Sequence, residues 1–157
     1  MPDEARPGGI TSAPFVDEYL LYLLAAVSDR ASAQFHARAR KAGLRVPEWR
    51  VLACLTDEDG AMVTRLARLS LLEQSRLTRI IDQMAEKGLV LRRPDPEDAR
   101  RVRVFLTPDG RALATRLVED ARRHEAGVLD LLPARDAAQL KPVLKALLAR
   151  LDGEAQV

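Results

Sequence analysis

Apolar positions along most of the chain recur at helical spacing. Met1 to Ala13 lacks such a period and reads as a flexible tail. From Pro14, which suits a first helical turn, Val16, Leu20, Leu23, Leu24, Val27, Ala31 and Phe35 line one face of a long helix, and Gly43 ends it as a C-terminal cap residue. Pro47 opens a second helix with Trp49, Val51, Leu52 and Leu55 apolar, closing near Asp57 to Gly60. The pattern predicts a short third helix over about Ala61 to Leu69 and a fourth from about Glu73 to Lys87, stopped by Gly88. Ser70 and Glu73 have capping-box spacing, which would start that fourth helix a residue or two early.

The period then changes to two. Leu89 to Arg93 and Val102 to Thr107 read as extended runs, with Val102, Val104 and Leu106 on one face. Pro94 and Pro96 between them cannot donate ladder hydrogen bonds, so pairing is expected to fade before the tip. Thr107 caps a fifth helix, with Pro108 first and Asp109 in its first turn, running to about Leu132. Pro133 breaks it, and a sixth helix follows from about Arg135 to Leu151, where Pro142 predicts a late start or a kink. The fold class is mainly α: four helices, a hairpin and two more helices. The first and fifth helices are long for a chain of 157 residues, and their broad apolar stripes call for a second subunit.

Composition narrows the class. With 47% hydrophobic and 31% charged residues the chain is globular, and at this length it can bury a core without a staple. One cysteine, Cys54, excludes an intrachain disulfide and fits a reducing compartment. The apolar run Tyr19 to Val27 is far short of the roughly 20 residues that a membrane span needs. A soluble, cytoplasmic chain with no membrane association is the expectation.

Charge is unevenly placed. The net charge of +2 divides into −2 over residues 1–60, +4 over 61–107 and zero over 108–157. Nine of the ten cations in the middle stretch are arginine. Arginine presents a planar fork of donors suited to phosphates and guanine edges. On the fourth helix, Leu77, Ile80, Ile81 and Met84 make the buried stripe. The opposite face carries Ser75, Thr78, Arg79, Asp82 and Glu86, flanked by Gln74 and Arg76, with the acids toward the far end. That polarity suits a helix whose N-terminal half enters a DNA major groove, although a solvated amphipathic helix would carry the same pattern. The hairpin adds Arg92, Arg93, Arg100, Arg101 and Arg103, a cationic loop able to reach a neighbouring minor groove. Asp98, two residues before Arg100, can orient its guanidinium and hold the loop's shape. A helical trio followed by a hairpin is a winged helix-turn-helix arrangement.

Several segments in order resemble the MarR family of winged helix-turn-helix regulators. They are Trp49-Arg50-Val51-Leu52, Leu66-Ala67, Ser75 to Asp82, Glu86 to Val90, Arg92-Arg93, Asp98-Ala99-Arg100 and Leu106 to Gly110. The resemblance is collinear over about residues 15–151. It implies a homodimeric transcription regulator that binds double-stranded DNA at a palindromic operator and is usually released by a small ligand, with no cofactor. It also implies DNA contacts at Gln74, Ser75, Arg76, Thr78, Arg79, Arg100 and Arg101, with Asp98 as the supporting acid. Residues 14–46 and 108–157 would form the dimerisation region and 47–107 the DNA-binding unit. The chain departs from the family at Leu71, where glycine is common, at Ser70, where an apolar residue is common, and at Ala99, where arginine is common.

Other residues carry less. Cys54 lies in an apolar run and reads as core. His36 and His124 have no metal-ligand spacing around them, so no metal is expected. Tyr22, His36, Trp49 and Arg50 lie where such regulators hold an effector, though a tryptophan such as Trp49 is more often plain core. The stretch Tyr19 to Glu48 resembles regulators of aromatic-acid breakdown, which implies a small aromatic acid or thioester as effector. No glycine-rich phosphate loop, metal spacing or nucleophile elbow points to an enzyme. A winged unit that binds protein instead of DNA is the alternative reading, and the arginine-rich wing argues against it.

Overall fold

The computed structural model describes residues 14–154, so the stretch read as a tail lies outside the described residues. The chain divides into two units, residues 1–34 and 35–157. The predicted first helix is interrupted: α1 (Phe15–Glu18) ends at Tyr19, whose backbone is extended, before α2 (Leu20–Lys41) begins. Within the first unit the Phe15 and Tyr19 rings stack at 4.9 Å, and Leu20, Leu21, Tyr22 and Leu23 are exposed.

The second unit holds α3 (Val46–Asp57), β1 (Ala61–Met62), α4 (Val63–Ser70), α5 (Gln74–Glu86), β2 (Val90–Pro94), β3 (Val102–Leu106), α6 (Pro108–Leu129) and α7 (Ala134–Glu154). The fold is mainly helical, with a three-stranded antiparallel sheet in the order β1-β3-β2: a winged helix-turn-helix. Strand β1 corrects the expectation of a helix from Ala61. Ala61 and Met62 pair with Val104 and Arg103, and Gly60 N–H donates to the Val104 carbonyl at 2.9 Å, so the helix starts two residues later. The capping box also fails. Ser70 is buried inside α4 and its hydroxyl donates back to the Leu66 carbonyl, while Glu73, at the N-cap of α5, makes no side-chain cap bond.

Pairing in the hairpin extends further than expected. Asp95 N–H still donates to the Arg101 carbonyl at 2.8 Å, beyond Pro94 opposite Val102. Pro94 falls on a non-hydrogen-bonded pair of an edge strand, so its missing N–H would have faced away from β3. Helix α6 stops at Leu129, three residues early, and α7 begins at Ala134 and continues through Pro142, so no late start occurs.

The core lies where α3, α4, α5, α6 and the sheet meet. Leu52, Leu55, Leu66, Leu77, Ile81, Met84, Val104 and Leu117 are fully buried there, each contributing about 1.5–3 kcal/mol relative to exposure. The Thr107 cap is as expected: its hydroxyl accepts from Gly110 N–H at 2.9 Å and donates to the Gly88 carbonyl at 2.6 Å. Gly110 has no room for a side chain, because a Cβ there would stand 1.9 Å from the Leu89 carbonyl oxygen. No helix among the described residues is long and apolar enough to cross a membrane.

Candidate nucleic-acid interface

The buried stripe of α5 fixes which face it shows. With Leu77, Ile80, Ile81 and Met84 in the core, Gln74, Ser75, Arg76, Arg79, Asp82 and Gln83 are exposed and Thr78 is half-buried. The first turn holds no acid, and Glu73 at the N-cap makes no side-chain bond to the open N–H groups. Thr78 spends its hydroxyl proton on the Gln74 carbonyl at 3.0 Å. The side chains of Gln74, Ser75, Arg76 and Arg79 make no hydrogen bond or ion pair among the described residues, which leaves their donors open.

A groove lies on each side of the helix. One, of about 500 Å³, is lined by Gln74 and Thr78 with Met62, Val63 and Thr64, and by Arg92, Arg100, Arg101 and Val102 of the hairpin. The other, of about 400 Å³, is lined by Ser75, Arg76, Arg79 and Gln83 with Arg45 and Pro47. The structure thus gathers Gln74, Thr78, Arg100 and Arg101 around one trough and Ser75, Arg76 and Arg79 around its neighbour.

The arginines of the hairpin divide into braces and open donors. Arg92 pairs with Asp82 of α5, Arg93 lies over the Phe105 ring at 5.3 Å from its centroid, and Arg103 pairs with Asp95. Arg103 also donates to the Gly60 carbonyl at 3.1 Å, joining the hairpin to β1. Asp98 does not hold the Arg100 guanidinium. Its carboxylate accepts from the Arg100 backbone N–H at 3.0 Å and pairs with Arg101 at 3.4 Å. The Arg100 guanidinium has no partner among the described residues, so it is the open cation of the tip.

Two acids that build this surface were not singled out in the sequence. Asp95 is buried and accepts from Arg103 and from the N–H groups of Glu97 at 2.9 Å and Asp98 at 3.2 Å. The Arg103 hydrogen bond, then those backbone donors, hold its carboxyl below the usual carboxylate range. Glu48, at the third position of α3, is 0% exposed. It accepts from Arg45 N–H at 2.7 Å, the Arg45 guanidinium at 3.2 Å and the Lys87 ammonium at 2.7 Å. Burial pushes its carboxyl up, but these donors outweigh burial and hold it below its ordinary value. The signal for Asp95 was its place between two prolines, and for Glu48 a capping position three residues after Arg45.

The expected effector residues are less gathered. Trp49 is half-buried and meets the buried Phe35 ring edge-on at 4.8 Å, with His36 and His124 at 6.5 and 6.2 Å from the same ring. Arg50 is half-buried on α3, and Tyr22 belongs to the other unit, where it is exposed. Cys54 is half-buried, and burial, then the Asp57 charge, push its thiol up, away from the reactive thiolate. No group of His, Cys, Asp and Glu among the described residues could hold a metal ion.

Known transcription regulators resemble the chain in sequence and fold. The model of the MarR family matches residues 44–102. The crystal structure of the MarR family transcriptional regulator SPO1453 from Silicibacter pomeroyi is 60% identical, covers 88% of this chain and 99% of that one, and superposes with a TM-score of 0.81. The HTH-type transcriptional repressor IacR of Pseudomonas putida is 32% identical over 75% of this chain and 74% of its own length. A mutant MarR from E. coli complexed with operator DNA shares the fold at 24% identity and a TM-score of 0.75, over 87% of this chain and 99% of that one.

Proposed function

Because the chain belongs to the MarR family of transcription regulators, we propose that it is a homodimeric repressor that binds a palindromic operator and is released by a small ligand. The observation that carries this reading is the exposed, donor-rich face of α5 set between two basic grooves, one of them closed by the arginines of the wing. In this reading Gln74, Ser75, Arg76, Thr78 and Arg79 face base edges and phosphates of the major groove. Arg100 and Arg101 follow the adjacent backbone or enter the minor groove, and Asp98 shapes the tip through the Arg100 backbone and Arg101. Residues 47–107 are the DNA-binding unit, and residues 14–46 with 108–157 the dimerisation region. The exposed leucines of α7 support a second copy, since a monomer leaves that stripe in water.

The ligand proposed is a small aromatic acid or its thioester, with Tyr22, His36, Trp49 and Arg50 as candidate contacts. The ring cluster of Phe35, Trp49, His36 and His124 supports an aromatic occupant. Such a ligand acts only by preferring a conformation in which the two recognition helices are wrongly spaced. The test is fluorescence anisotropy on DNA from upstream of the protein's own gene, at several salt concentrations, followed by titration with a panel of aromatic acids. Affinity that falls linearly with log salt is expected, because phosphate contacts release counterions. A folded dimer with no salt-dependent DNA binding would overturn the reading in favour of a protein-binding module.

A further inference from the structure

The recognition helix is held along its length by the apolar contacts of Leu77, Ile80, Ile81 and Met84, and at its far end by bonds of a different kind as well. Lys87, the C-cap of α5, donates to Glu48 at 2.7 Å and to the Gly43 carbonyl at 3.4 Å. Arg45 donates to the same carboxylate and to Gln83 on the exposed side of α5. One buried carboxylate therefore ties the turn after α2 to the last turn of the recognition helix. Apolar packing is non-directional and tolerates a small rotation or slide of a helix. A charge-assisted bond does not, because its strength depends on distance and angle. The carboxylate is buried while the Lys87 and Arg45 side chains are exposed, and an ion pair with a solvated partner adds modest net stability, so a positioning role explains its place better than a stabilising one.

We propose that Glu48 is a positioning residue for the recognition helix, setting the angle at which Arg76 and Arg79 face the groove through its bonds to Lys87 and Arg45. The inference rests on the reading of α5 as the DNA-contacting helix. Arg45, Arg79 and Gln83 line one groove, so a rotation of α5 about its own axis changes that groove directly. The turn bearing Gly43 follows the end of α2 that places Phe35 and Ala39 in the core, and its carbonyl accepts from the Lys87 ammonium, so a shift there reaches the end of α5 through the lysine that also holds Glu48.

The experiment compares the full-length parent with Glu48→Gln, Lys87→Met, the double variant and Gln83→Ala. Thermal midpoint, amide hydrogen exchange along α5, and affinity for the parent's upstream DNA and for a mixed-sequence duplex are measured. Glu48→Gln should lower the ratio of specific to mixed-sequence affinity by about tenfold, within the usual range of coupling. It should also speed exchange over residues 80–86 while α4 keeps its protection. The double variant should do less harm than the two single changes combined, because both remove the same bond and Lys87→Met alone leaves the buried carboxylate with its Arg45 donors only. Gln83→Ala, at an exposed site, should lower the ratio about threefold with an unchanged midpoint, and it decides the matter if Glu48→Gln does not fold. Equal losses on both duplexes, or exchange in α5 like the parent's, would overturn the proposal. If the parent itself binds no DNA, the regulator reading fails while the exchange data still judge the link.

Discussion

In α5, Leu77, Ile80, Ile81 and Met84 are all buried, whereas in α7 Leu140, Val143, Leu144, Leu147, Leu148 and Leu151 remain between 38% and 59% exposed. Both helices show the same apolar period in sequence. The difference is that the winged unit supplies α5 with a complete set of neighbours from one chain: α3, α4, β2 and the far side of the core. Helix α7 has no such set, and half-exposed apolar side chains over about three turns are a cost that only another apolar surface removes. Folding of the winged unit is thus a property of one chain, while in the proposed homodimer the covering of α7 would depend on protein concentration.

The largest expected effect comes from spoiling the α7 face. Leu144→Glu with Leu148→Glu should leave the winged core folded but shift sedimentation from dimer to monomer at micromolar concentration. Operator affinity should fall by at least about a hundredfold, because two linked half-sites bind through their effective concentration. A doubly substituted chain that still sediments as a dimer would show that α7 is not the association surface. The counterpart in the core is Ile81→Ala, which should cost about 2–4 kcal/mol of stability by leaving a cavity beneath the recognition helix. Its cost in urea unfolding should be present in the monomeric background too. A cost that vanishes there would mean that the core is not completed within the chain.

DNA contact sharpens the same contrast, since it should change without any change of association state. Arg79→Ala should lose about 1–3 kcal/mol of operator affinity and relax the sequence preference within each half-site if its contact is bidentate. Arg100→Ala should weaken binding evenly across sequences and make the salt dependence shallower. Anisotropy on an operator library at two salt concentrations separates them, and an Arg100→Ala chain that binds like the parent would make the wing a bystander.

What was legible in the sequence follows this division between local and distant causes. The stripe of α5 and the Thr107 cap were readable because each is set by residues within one or two turns. Strand β1 was not, since two residues, Ala61 and Met62, become extended only by pairing with Val104 and Arg103 some forty positions away. The same holds for the wing. Asp98 stood nearest Arg100 in sequence, yet the buried acid that organises the tip is Asp95, because β3 brings Arg103 back across the hairpin to it. Glu48 meets Lys87 by the same kind of return. The edge-on contact of Phe35 with Trp49 was foreshadowed only as a choice between core and pocket.

A weaker effect concerns that wing acid. Asp95 has a folded pKa below its unfolded value near 3.9, so its contribution to stability is present above that pH and is lost as pH falls through the lower folded value. Asp95→Asn should therefore flatten stability against pH only in the acid range and leave it near-parallel to the parent above pH 5. It should also increase hydrogen exchange at Glu97 and Asp98, whose N–H groups it holds. Unchanged acid unfolding would show that Arg103 and the loop keep their arrangement without the charge.

The smallest expected change is a gain, and it lies in the turn between α4 and α5. Leu71 has φ +58° and ψ +45°, the left-handed conformation, and is the one non-glycine residue with positive φ among those described. Its side chain is 77% exposed, so packing does not repay the strain. The conformation is imposed by the end of α4, where the Leu71 N–H donates to Arg68 and the Leu72 N–H to Ala67, leaving α5 free to start at Gln74 in a new direction. For a residue with a Cβ this backbone costs about 1–2 kcal/mol. Leu71→Gly removes that cost but gives the unfolded chain more freedom, so about 0.5–1 kcal/mol of net stabilisation is expected. Leu71→Asn, which tolerates the left-handed region better than leucine, should fall between the two. Urea midpoints measured in the monomeric α7 background isolate the effect from association. If Leu71→Gly lowered the midpoint, the leucine side chain would have to be contributing more than its exposure allows, and the turn would not be the strained point of an otherwise self-sufficient unit.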